Sequence, residues 1–330
     1  MKTALVLGGG GFIGSHIVNR LKNENYWVRA VDIKRSDFEP SKADNFIVGD
    51  LRDARLTSAV MQTPEQKASK NNTNNSFDEV YNLSADMGGA GYIFSGDNDA
   101  NVTHNSALIN LNVASSAVYY GVKSLFFSSS ACVYPEHNQM DPLNPKCDEA
   151  SAYPANPDSE YGWEKLFSER MYLSFKRNYN LNVHIGRYHN IYGPLGTYDG
   201  GKEKVPAALC RKIILATDGG TIDVWGDGQQ TRSFLYIDDC VDATLKLTRS
   251  TFAGPVNIGS EEMISINNFA KMIITISGKK LSINNIDGPK GVNGRNSDNR
   301  LINDKLNWNP QISLKEGITK TYNWIKSRYN

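Results

Sequence analysis

Hydrophobic and polar positions follow two alternating patterns over the first half of the chain. Short continuous apolar runs predict buried strands at residues 3–7, 27–31, 46–48, 78–83, 123–130 and 182–186. Apolar residues at helical spacing predict helices at residues 15–22 and 102–121, and a further helix that follows Tyr161. Strands that alternate with helices in this way are typical of a doubly wound parallel sheet, so the predicted fold class is α/β.

The pattern changes in the second half, where glycine-rich polar loops occur at residues 196–206 and 225–234. An amphipathic helix is predicted at residues 314–325. We predict a first domain at residues 1–186 and a smaller second domain at residues 187–330, with some of its segments returning to the first sheet. Residues 62–76 are polar and of low complexity, which predicts a surface insertion without function.

Composition narrows the possible partners. The 330 residues are 40% hydrophobic and 22% charged, as in ordinary globular proteins. A formal charge of +1 gives no overall attraction to nucleic acid or to anionic membranes, so neither is an expected partner. No apolar run reaches the roughly 18 residues of a membrane span, and Met1 and Lys2 lead directly into a strand, so a cytoplasmic location is expected. Four widely spaced cysteines without a Cys-x-x-Cys pair predict neither a metal site nor a disulfide framework.

A glycine-rich turn joins the first predicted strand to the first predicted helix. It contains Gly8, Gly11 and Gly14, with Phe12 and Ile13 between the last two glycines. Glycines at these positions permit a tight turn and let the backbone approach a pyrophosphate, whose charge is stabilised by amides at the start of the helix. The turn therefore predicts a Rossmann-type dinucleotide site formed by these five residues.

Acidic residues follow the next two strands. Asp32 can accept hydrogen bonds from the adenosine ribose and would repel a 2′-phosphate, which favours NAD over NADP, although Lys34 and Arg35 are close in sequence. After the third strand come Asp50 and Leu51, also predicted to bind the cofactor. The Asp50 carboxylate could reach the adenine, or it could cap a helix, and these two interpretations are equally consistent with the sequence.

Hydroxyl, phenol and amine groups are expected to meet at one end of the sheet. Ser130 ends the predicted strand 123–130, where ligands bind in parallel sheets. Tyr161 and Lys165 are four residues apart, so on a helix they project the same way and the ammonium favours the phenolate. Small residues at 84–91 would let the backbone lie against nicotinamide or sugar, or they form a simple loop.

Cations are scattered over the loops of the second half. Lys202 and Lys204 lie in the loop at residues 196–206, and Arg232 and Arg295 lie in later turns. Forked, charge-assisted hydrogen bonds from arginine suit a diphosphate. Together these residues favour a diphosphate site over solvated charges.

Four motifs carry a resemblance to a known family. They are the glycine turn, the Ser-Ser-Ser-Ala-Cys-Val-Tyr run at 128–134, the Tyr161–Lys165 pair and the Arg-x-x-Asn-Ile-Tyr-Gly-Pro run at 187–194. They resemble the extended short-chain dehydrogenase/reductase family of nucleotide-sugar enzymes over nearly the whole chain. The resemblance implies NAD as cofactor, a GDP-sugar substrate and a homodimer.

The resemblance also implies a reaction, epimerisation of the GDP-sugar at C3 and C5 through a transient ketone at C4. Tyr161, its pKa lowered by Lys165 and the nicotinamide, would take the proton from the sugar O4 while Ser130 holds the oxygen. By resemblance, Cys132 and Lys204 are the base and acid at the two acidified carbons. Spacing alone does not separate Lys204 from Lys202.

The same resemblance implies a substrate-binding set. Its members are Gly89, Ser130, Ala131, Cys132, Asn190, Glu203, Lys204, Lys212, Gln230, Thr231, Arg232 and Arg295.

Other activities of the family are alternatives. A 4,6-dehydratase carries an acidic pair after the strand-end hydroxyl, where this chain has Ala131 and Cys132. A 4-epimerase needs no acid and base beyond the Tyr161 and Lys165 site, and so leaves Cys132 and Lys204 unexplained. A non-catalytic NAD-binding scaffold is a further alternative.

Overall fold

A seven-stranded parallel sheet lies at the centre of the molecule. The computed structural model describes residues 1–68, 76–288 and 291–329. Within them the strands are β1 (Thr3–Leu7), β2 (Trp27–Asp32), β3 (Asn45–Val48), β4 (Glu79–Asn82), β5 (Leu125–Ser130), β6 (Val183–Tyr188), β7 (Ile191–Tyr192), β8 (Thr221–Trp225), β9 (Thr231–Ser233), β10 (Leu235–Tyr236), β11 (Val256–Ile258), β12 (Met263–Ser265), β13 (Ser282–Ile286) and β14 (Gly294–Arg295). The central sheet has the order β11-β6-β5-β4-β1-β2-β3, and all its neighbouring pairs are parallel.

Helices cover both faces of this sheet. They are α1 (Phe12–Asn23), α2 (Ala54–Met61), α3 (Pro64–Ala68), α4 (Ala90–Ile93), α5 (Asp99–Tyr119), α6 (Glu160–Tyr179), α7 (Val205–Leu215), α8 (Ile237–Thr248), α9 (Ile266–Ser277), α10 (Arg300–Leu306) and α11 (Leu314–Lys326). One core cluster joins the sheet to α1, α8, α9 and α11, and a second joins it to α2, α5 and α6. The predicted doubly wound α/β class is confirmed.

The six predicted strands are present, each within two residues of its predicted bounds. They were recognisable because strands buried on both faces are continuous apolar runs. The first helix begins at Phe12, three residues earlier than predicted, because Gly11 in extended conformation serves as its N-cap. The predicted C-terminal amphipathic helix corresponds to α11.

Strand β1 marks the point where the chain order of the sheet reverses. It pairs with β2 on one side and with β4 on the other. Ligands of open α/β sheets bind in the crevice beyond the carboxyl ends of the strands at such a point. The glycine turn after β1 and the loop after β4 both open onto this crevice.

The second half of the chain contributes one strand to the central sheet and several smaller sheets beside it. Strand β11 pairs with β6, as expected of a segment that returns to the first sheet. Strand β14 pairs in parallel with β9, which places Arg295 beside Arg232 in register. Two loops that are distant in sequence thereby bring their arginines together.

The predicted surface insertion at residues 62–76 includes helix α3, and residues 69–75 of it lie outside the described residues. Among the described residues, no helix combines the length and the apolar character that crossing a membrane requires. The same part of the chain contains no group of three or more side chains arranged to hold a metal ion.

Candidate active site

The carboxyl end of β5 carries the predicted serine and cysteine. Ser130 is the last residue of β5, and its Oγ accepts a hydrogen bond from the Cys132 amide at 3.2 Å. This bond caps a single 3₁₀ turn at Ala131–Val133. Both side chains are largely buried. The turn therefore fixes the hydroxyl and the thiol relative to each other.

Helix α6 brings Tyr161 against this turn. Ser159 caps the helix by accepting a hydrogen bond from the Gly162 amide at 3.3 Å. A β-carbon at Gly162 would lie 2.1 Å from the Cys132 carbonyl oxygen, so only glycine permits this approach. Tyr161 is buried and packs in one cluster with Cys132 and Ile93.

Lys165 lies on the same buried face of α6. Its Nζ donates to the Ser128 carbonyl at 3.0 Å and lies 5.6 Å from the centre of the Tyr161 ring. Desolvation lowers the pKa of Lys165 below its ordinary value, although nearby Glu164 and Glu169 oppose this effect. The predicted tyrosine and lysine are therefore neighbours, as their spacing requires.

The protein by itself does not favour the Tyr161 phenolate. The sequence predicts that Lys165 and the nicotinamide together lower the pKa of Tyr161, and this stays a prediction; among the protein groups alone, burial raises the pKa of Tyr161 well above its ordinary value. Interactions with Cys132 and Glu164 add to the rise, and a hydrogen bond with Ser130 opposes it. The physical reason is that an apolar pocket disfavours the phenolate, while the Lys165 ammonium is directed at a backbone carbonyl.

Lys204 lies at the N-cap of α7. Desolvation of the ammonium lowers the pKa of Lys204, and an interaction with Cys132 opposes this shift. Part of the residue nevertheless faces solvent. The loop that carries Lys204 packs on Gly89, where a β-carbon would lie 2.5 Å from the Glu203 carbonyl oxygen. Cys132, Gly89 and the adjacent pair Glu203 and Lys204 are thus brought together from three separate parts of the chain.

Arg295 is directed at the cysteine. Its Nη1 donates to Cys132 Sγ at 3.3 Å, its Nη2 to Asp158 Oδ2 at 2.9 Å and its Nε to Gln139 Oε1 at 2.6 Å. Burial alone would lower the pKa of Arg295, but Cys132 and Asp158 more than offset it and raise the pKa above the ordinary value. That Arg295 binds a diphosphate stays a prediction; among the described residues its guanidinium contacts these three side chains.

Arg232 lies beside it. Its Nη1 and Nη2 donate to the carbonyls of Thr231 and Val292, both at 2.7 Å. Burial, followed by repulsion from Arg295, lowers the pKa of Arg232 to about 10. The Thr231 hydroxyl donates to the carbonyl of Pro142. The two arginines form one buried cationic cluster, as the register of β9 and β14 requires.

The other predicted substrate residues lie around this cluster and along α7. Asn190 has a left-handed backbone, with φ of +46°, and donates to the Ser233 carbonyl at 2.9 Å. Gln230 donates to the Trp225 carbonyl, and its own Oε1 is buried without a hydrogen-bond partner among the described residues. Lys212 donates to the Asp223 carbonyl at 2.7 Å. An unpaired buried acceptor such as Gln230 Oε1 can take a hydrogen bond from a ligand.

The glycine turn after β1 has the geometry of a pyrophosphate site. Gly8 has φ of +81°, and its carbonyl accepts from the Gly11 amide at 3.2 Å. A β-carbon at Gly14 would lie 2.0 Å from the Gly8 carbonyl oxygen, so the start of α1 can meet the turn only with glycine there. Phe12 and Ile13 form the first turn of that helix. These residues fit the phosphates of a dinucleotide, which would rest on the amides at the start of α1.

The acidic residues after β2 and β3 differ in their surroundings. Asp32 Oδ2 accepts from the Gly10 amide at 3.0 Å, which ties the carboxylate to the glycine turn. Asp50 instead pairs with Arg52 at 2.6 Å, and this ion pair holds the pKa of Asp50 below its ordinary value. The cap of α2 is Asp53, so the interpretation of Asp50 as a helix cap is wrong. Leu51 is buried, and its carbonyl accepts from the Thr57 hydroxyl.

Sequence reasoning missed three residues of the site. Asp158 and Gln139 hold Arg295, and Gly162 lets α6 approach Cys132. Gly162 directly follows Tyr161, so its position beside a candidate base was a usable signal. No spacing pattern connects positions 139 and 158 to position 295, and these two contacts required the structure.

Comparisons with known proteins identify the family of the chain. The model of the NAD dependent epimerase/dehydratase family matches residues 4–259. The chain is 45% identical over 325 residues to GDP-mannose 3,5-epimerase of Arabidopsis thaliana, covering 98% of this chain and 82% of the relative. It is also 45% identical over 325 residues to GDP-mannose 3,5-epimerase 1 of Oryza sativa subsp. indica, covering 98% and 81%.

Solved structures share the fold over their full length. UDP-glucose 4-epimerase of Thermotoga maritima, solved with UDP-glucose, has a TM-score of 0.84 at 25% identity and covers 99% of this chain and 100% of its own. Pal from Bacillus thuringiensis has a TM-score of 0.80 at 29% identity and covers 99% of each chain. With the family model matching most of its length, the chain belongs to the NAD dependent epimerase/dehydratase family.

Proposed function

We propose that the protein epimerises GDP-mannose at C3 and C5 through a transient ketone at C4, to give GDP-L-galactose, GDP-L-gulose or both. The observation that carries this proposal is that Cys132 is close to two other titratable groups. It packs in one cluster with Tyr161 and interacts electrostatically with Lys204. A thiol and an amine beside the tyrosine supply the acid and the base that inversion at carbon requires. The two plant relatives of that name support the choice of sugar.

NAD is the cofactor, and when bound it would supply the acceptor and the donor for the C4 hydride. The glycine turn, Asp32 and the Tyr161–Lys165 pair are the residues that would hold it. Tyr161 takes the proton from the O4 hydroxyl while the Ser130 hydroxyl holds that oxygen. Burial raises the pKa of Tyr161, so the phenolate that accepts this proton would need the positive charges of Lys165 and of bound NAD⁺.

The C4 ketone acidifies the hydrogens on both neighbouring carbons. One of Cys132 and Lys204 removes a proton, the electron pair moves into the enolate, and the other group returns a proton to the opposite face of the ring. Desolvation lowers the pKa of Lys204, so its amine exchanges protons more readily near neutrality than an ordinary lysine. A single oxidation at C4 serves both inversions.

The test is to incubate the protein with GDP-mannose in heavy water and to locate deuterium in the recovered sugars by NMR. Wild-type protein should place deuterium at C3 and C5 and form L-sugar nucleotides. Cys132→Ser and Lys204→Met should lose both results while retaining NAD. Lys202→Met, which changes the other lysine of the loop, should still exchange deuterium at both carbons. Inversion at C4 without exchange at C3 or C5 would instead identify a 4-epimerase.

A homodimer is a second part of this proposal. The outer faces of α5 and α6 expose large apolar side chains, Leu111 at 42%, Trp163 at 42% and Phe167 at 50%. Adjacent exposed apolar groups of this size mark an interaction surface, and a two-fold dimer is the commonest way to cover one. We also propose a cytoplasmic location, which the four free cysteines favour because thiols persist in reducing compartments.

A further inference from the structure

Two segments from distant parts of the chain meet beside the buried cluster that contains Cys132 and Tyr161. The first, residues 84–94, is called the α4 segment here, and its Ile93 is part of that cluster. The second, residues 196–204, is called the lysine loop and ends at Lys204, the N-cap of α7. The position of the lysine loop on the α4 segment therefore determines where Lys204 lies relative to Cys132.

The two segments contact each other at Tyr92 as well as at Gly89. The Lys202 ammonium lies over the Tyr92 ring, with Nζ 4.0 Å from the ring centre. This distance is well inside the ~6 Å within which a cation is attracted to the face of an aromatic ring. At Gly89 a β-carbon would lie 2.5 Å from the Glu203 carbonyl oxygen. The α4 segment thus holds the lysine loop at two consecutive residues, Lys202 and Glu203.

Tyr92 is itself fixed to helix α5. Its hydroxyl donates to Asp86 Oδ1 at 2.9 Å, and Asp86 Oδ2 accepts from Asn105 Nδ2 at 2.8 Å. The Asp86 amide donates to the Ser106 hydroxyl at 3.0 Å. Asn105 and Ser106 belong to α5, a helix of 21 residues that packs on the central sheet. Because of these bonds, the ring that Lys202 contacts is anchored beyond its own segment.

The two lysines of the loop have different surroundings. The Lys202 ammonium contacts the Tyr92 ring and, within the part of the chain that the structure describes, takes part in no ion pair. The neighbouring Glu203 is already paired with Arg211 at 2.8 Å. Lys204 instead interacts with Cys132. An ammonium on a ring is suited to hold a loop, and an amine near the thiol is suited to proton transfer.

We propose that Lys202 is a positioning residue, whose ammonium on the Tyr92 ring fastens the lysine loop to the α4 segment and so sets the distance between Lys204 and Cys132. The inference rests on the roles of Lys204 and Cys132 in the proposed function. It separates Lys202 from Lys204 by their contacts, which their spacing in the sequence does not.

The first experiment measures kcat and KM for deuterium exchange into GDP-mannose. Lys202→Met and Tyr92→Leu should each lower kcat by about two- to fivefold, the rate equivalent of an exposed cation–ring contact, and leave KM as in wild type. Lys202→Met should still label both carbons, but more slowly. Because both changes break the same contact, the double variant should be no slower than the slower single variant.

Conservative variants should restore most of the rate. Lys202→Arg keeps a cation that stacks on aromatic faces, and Tyr92→Phe keeps the ring. Lys315→Met, at an exposed lysine on α11, is the matched control and should have the kcat of wild type. Lys202 is also exposed, so its two variants test the inference even if Tyr92→Leu fails to fold.

Two kinetic results would overturn the inference. One is a double variant in which the two losses multiply. The other is a raised KM with unchanged kcat in Lys202→Met, because Lys202 would then contact the substrate instead of the ring.

A second experiment needs no turnover. Amide hydrogen exchange of residues 196–204, measured by mass spectrometry in the NAD-bound protein without sugar nucleotide, should be about two- to fivefold faster in Lys202→Met and in Tyr92→Leu than in wild type. Exchange at the wild-type rate in both variants would overturn the inference. A wild-type protein that leaves GDP-mannose unlabelled, yet whose loop is loosened by these changes, would contradict the proposed function and leave the contact between Lys202 and Tyr92 standing.

Discussion

Gly89 lies against Glu203, so closely that a β-carbon at position 89 would come within 2.5 Å of the Glu203 carbonyl oxygen. Lys204, which follows Glu203 in the sequence, is the proposed acid–base group. We expect Gly89→Ala to push this loop outward and to lower turnover of GDP-mannose by at least about tenfold, because a misplacement of ~1 Å can cost on the order of 10²-fold. Steady-state kinetics with a thermal melt would measure activity and stability together.

Gly91 offers a matched control two residues away. A β-carbon there would meet no atom within 4 Å, so Gly91→Ala should keep wild-type turnover. If Gly89→Ala were as active as Gly91→Ala, the loop would not need this contact to hold Lys204 in position.

Asp32 couples the end of β2 to the glycine turn, since its Oδ2 accepts from the Gly10 amide at 3.0 Å. Asp32→Ala removes this bond and the acceptor proposed for the ribose hydroxyls. NAD affinity should fall by about tenfold or more, because hydrogen bonds to a charged group contribute ~1.5–3 kcal/mol. The preference for NAD over NADP should narrow as well, because the carboxylate no longer repels the 2′-phosphate.

Calorimetric titration with both nucleotides measures these changes. Asp304→Ala, at an exposed residue paired with Lys305 on α10, is the control and should leave both affinities as in wild type. An Asp32→Ala protein with unchanged nucleotide preference would show that the carboxylate serves only the turn.

Burial of His189 links the stability of the folded protein to pH. It is fully buried, its Nε2 contacts Asn257 Oδ1 at 2.8 Å, and desolvation lowers the pKa of His189 to about 3. Between the ordinary value of 6.5 and about 3, the unfolded chain carries a proton that the folded protein excludes. The free energy of unfolding should therefore fall by about 1.4 kcal/mol for each pH unit of acidification in this window.

Urea unfolding at about pH 7 and about pH 5 can isolate this contribution. His189→Gln keeps a donor for Asn257 but cannot titrate, so its stability should depend less on pH than that of wild type. His104→Gln, at an exposed histidine, should keep the wild-type dependence. Equal pH dependence in wild type and His189→Gln would contradict a neutral buried His189.

The sequence was sufficient where one local pattern determines the structure. Residues 4–7 are all apolar, as expected of a strand buried on both faces, and the predicted bounds 3–7 are those of β1. Tyr161 and Lys165 are neighbours because helical geometry alone makes them so. Strand β11 is only three residues long, has Asn257 at its centre and lies far in sequence from β6, the strand with which it pairs, so it gave no usable signal.

The remaining features of the site depend on long-range contacts and on burial, which the sequence does not show. The partners of Arg295 are 137, 156 and 163 residues away in sequence, and nothing in their spacing predicts one guanidinium that contacts all three. The direction of the Tyr161 pKa shift depends on how completely the pocket excludes water. A sequence motif indicates that a lysine is near a tyrosine, but it does not indicate whether desolvation outweighs that lysine.

The outer face of α6 carries side chains of the proposed dimer interface. Trp163 and Phe167 are one turn apart on this face, while Tyr161 and Lys165 of the same helix face the site. Phe167→Glu places a charge in the proposed dimer interface, where burial without a partner is costly, so the variant should be a monomer by light scattering. Leu215→Glu, at an exposed leucine on α7, is the control and should remain a dimer if the wild type is one. A monomeric wild-type protein, or a dimeric Phe167→Glu variant, would remove this face from consideration as the interface.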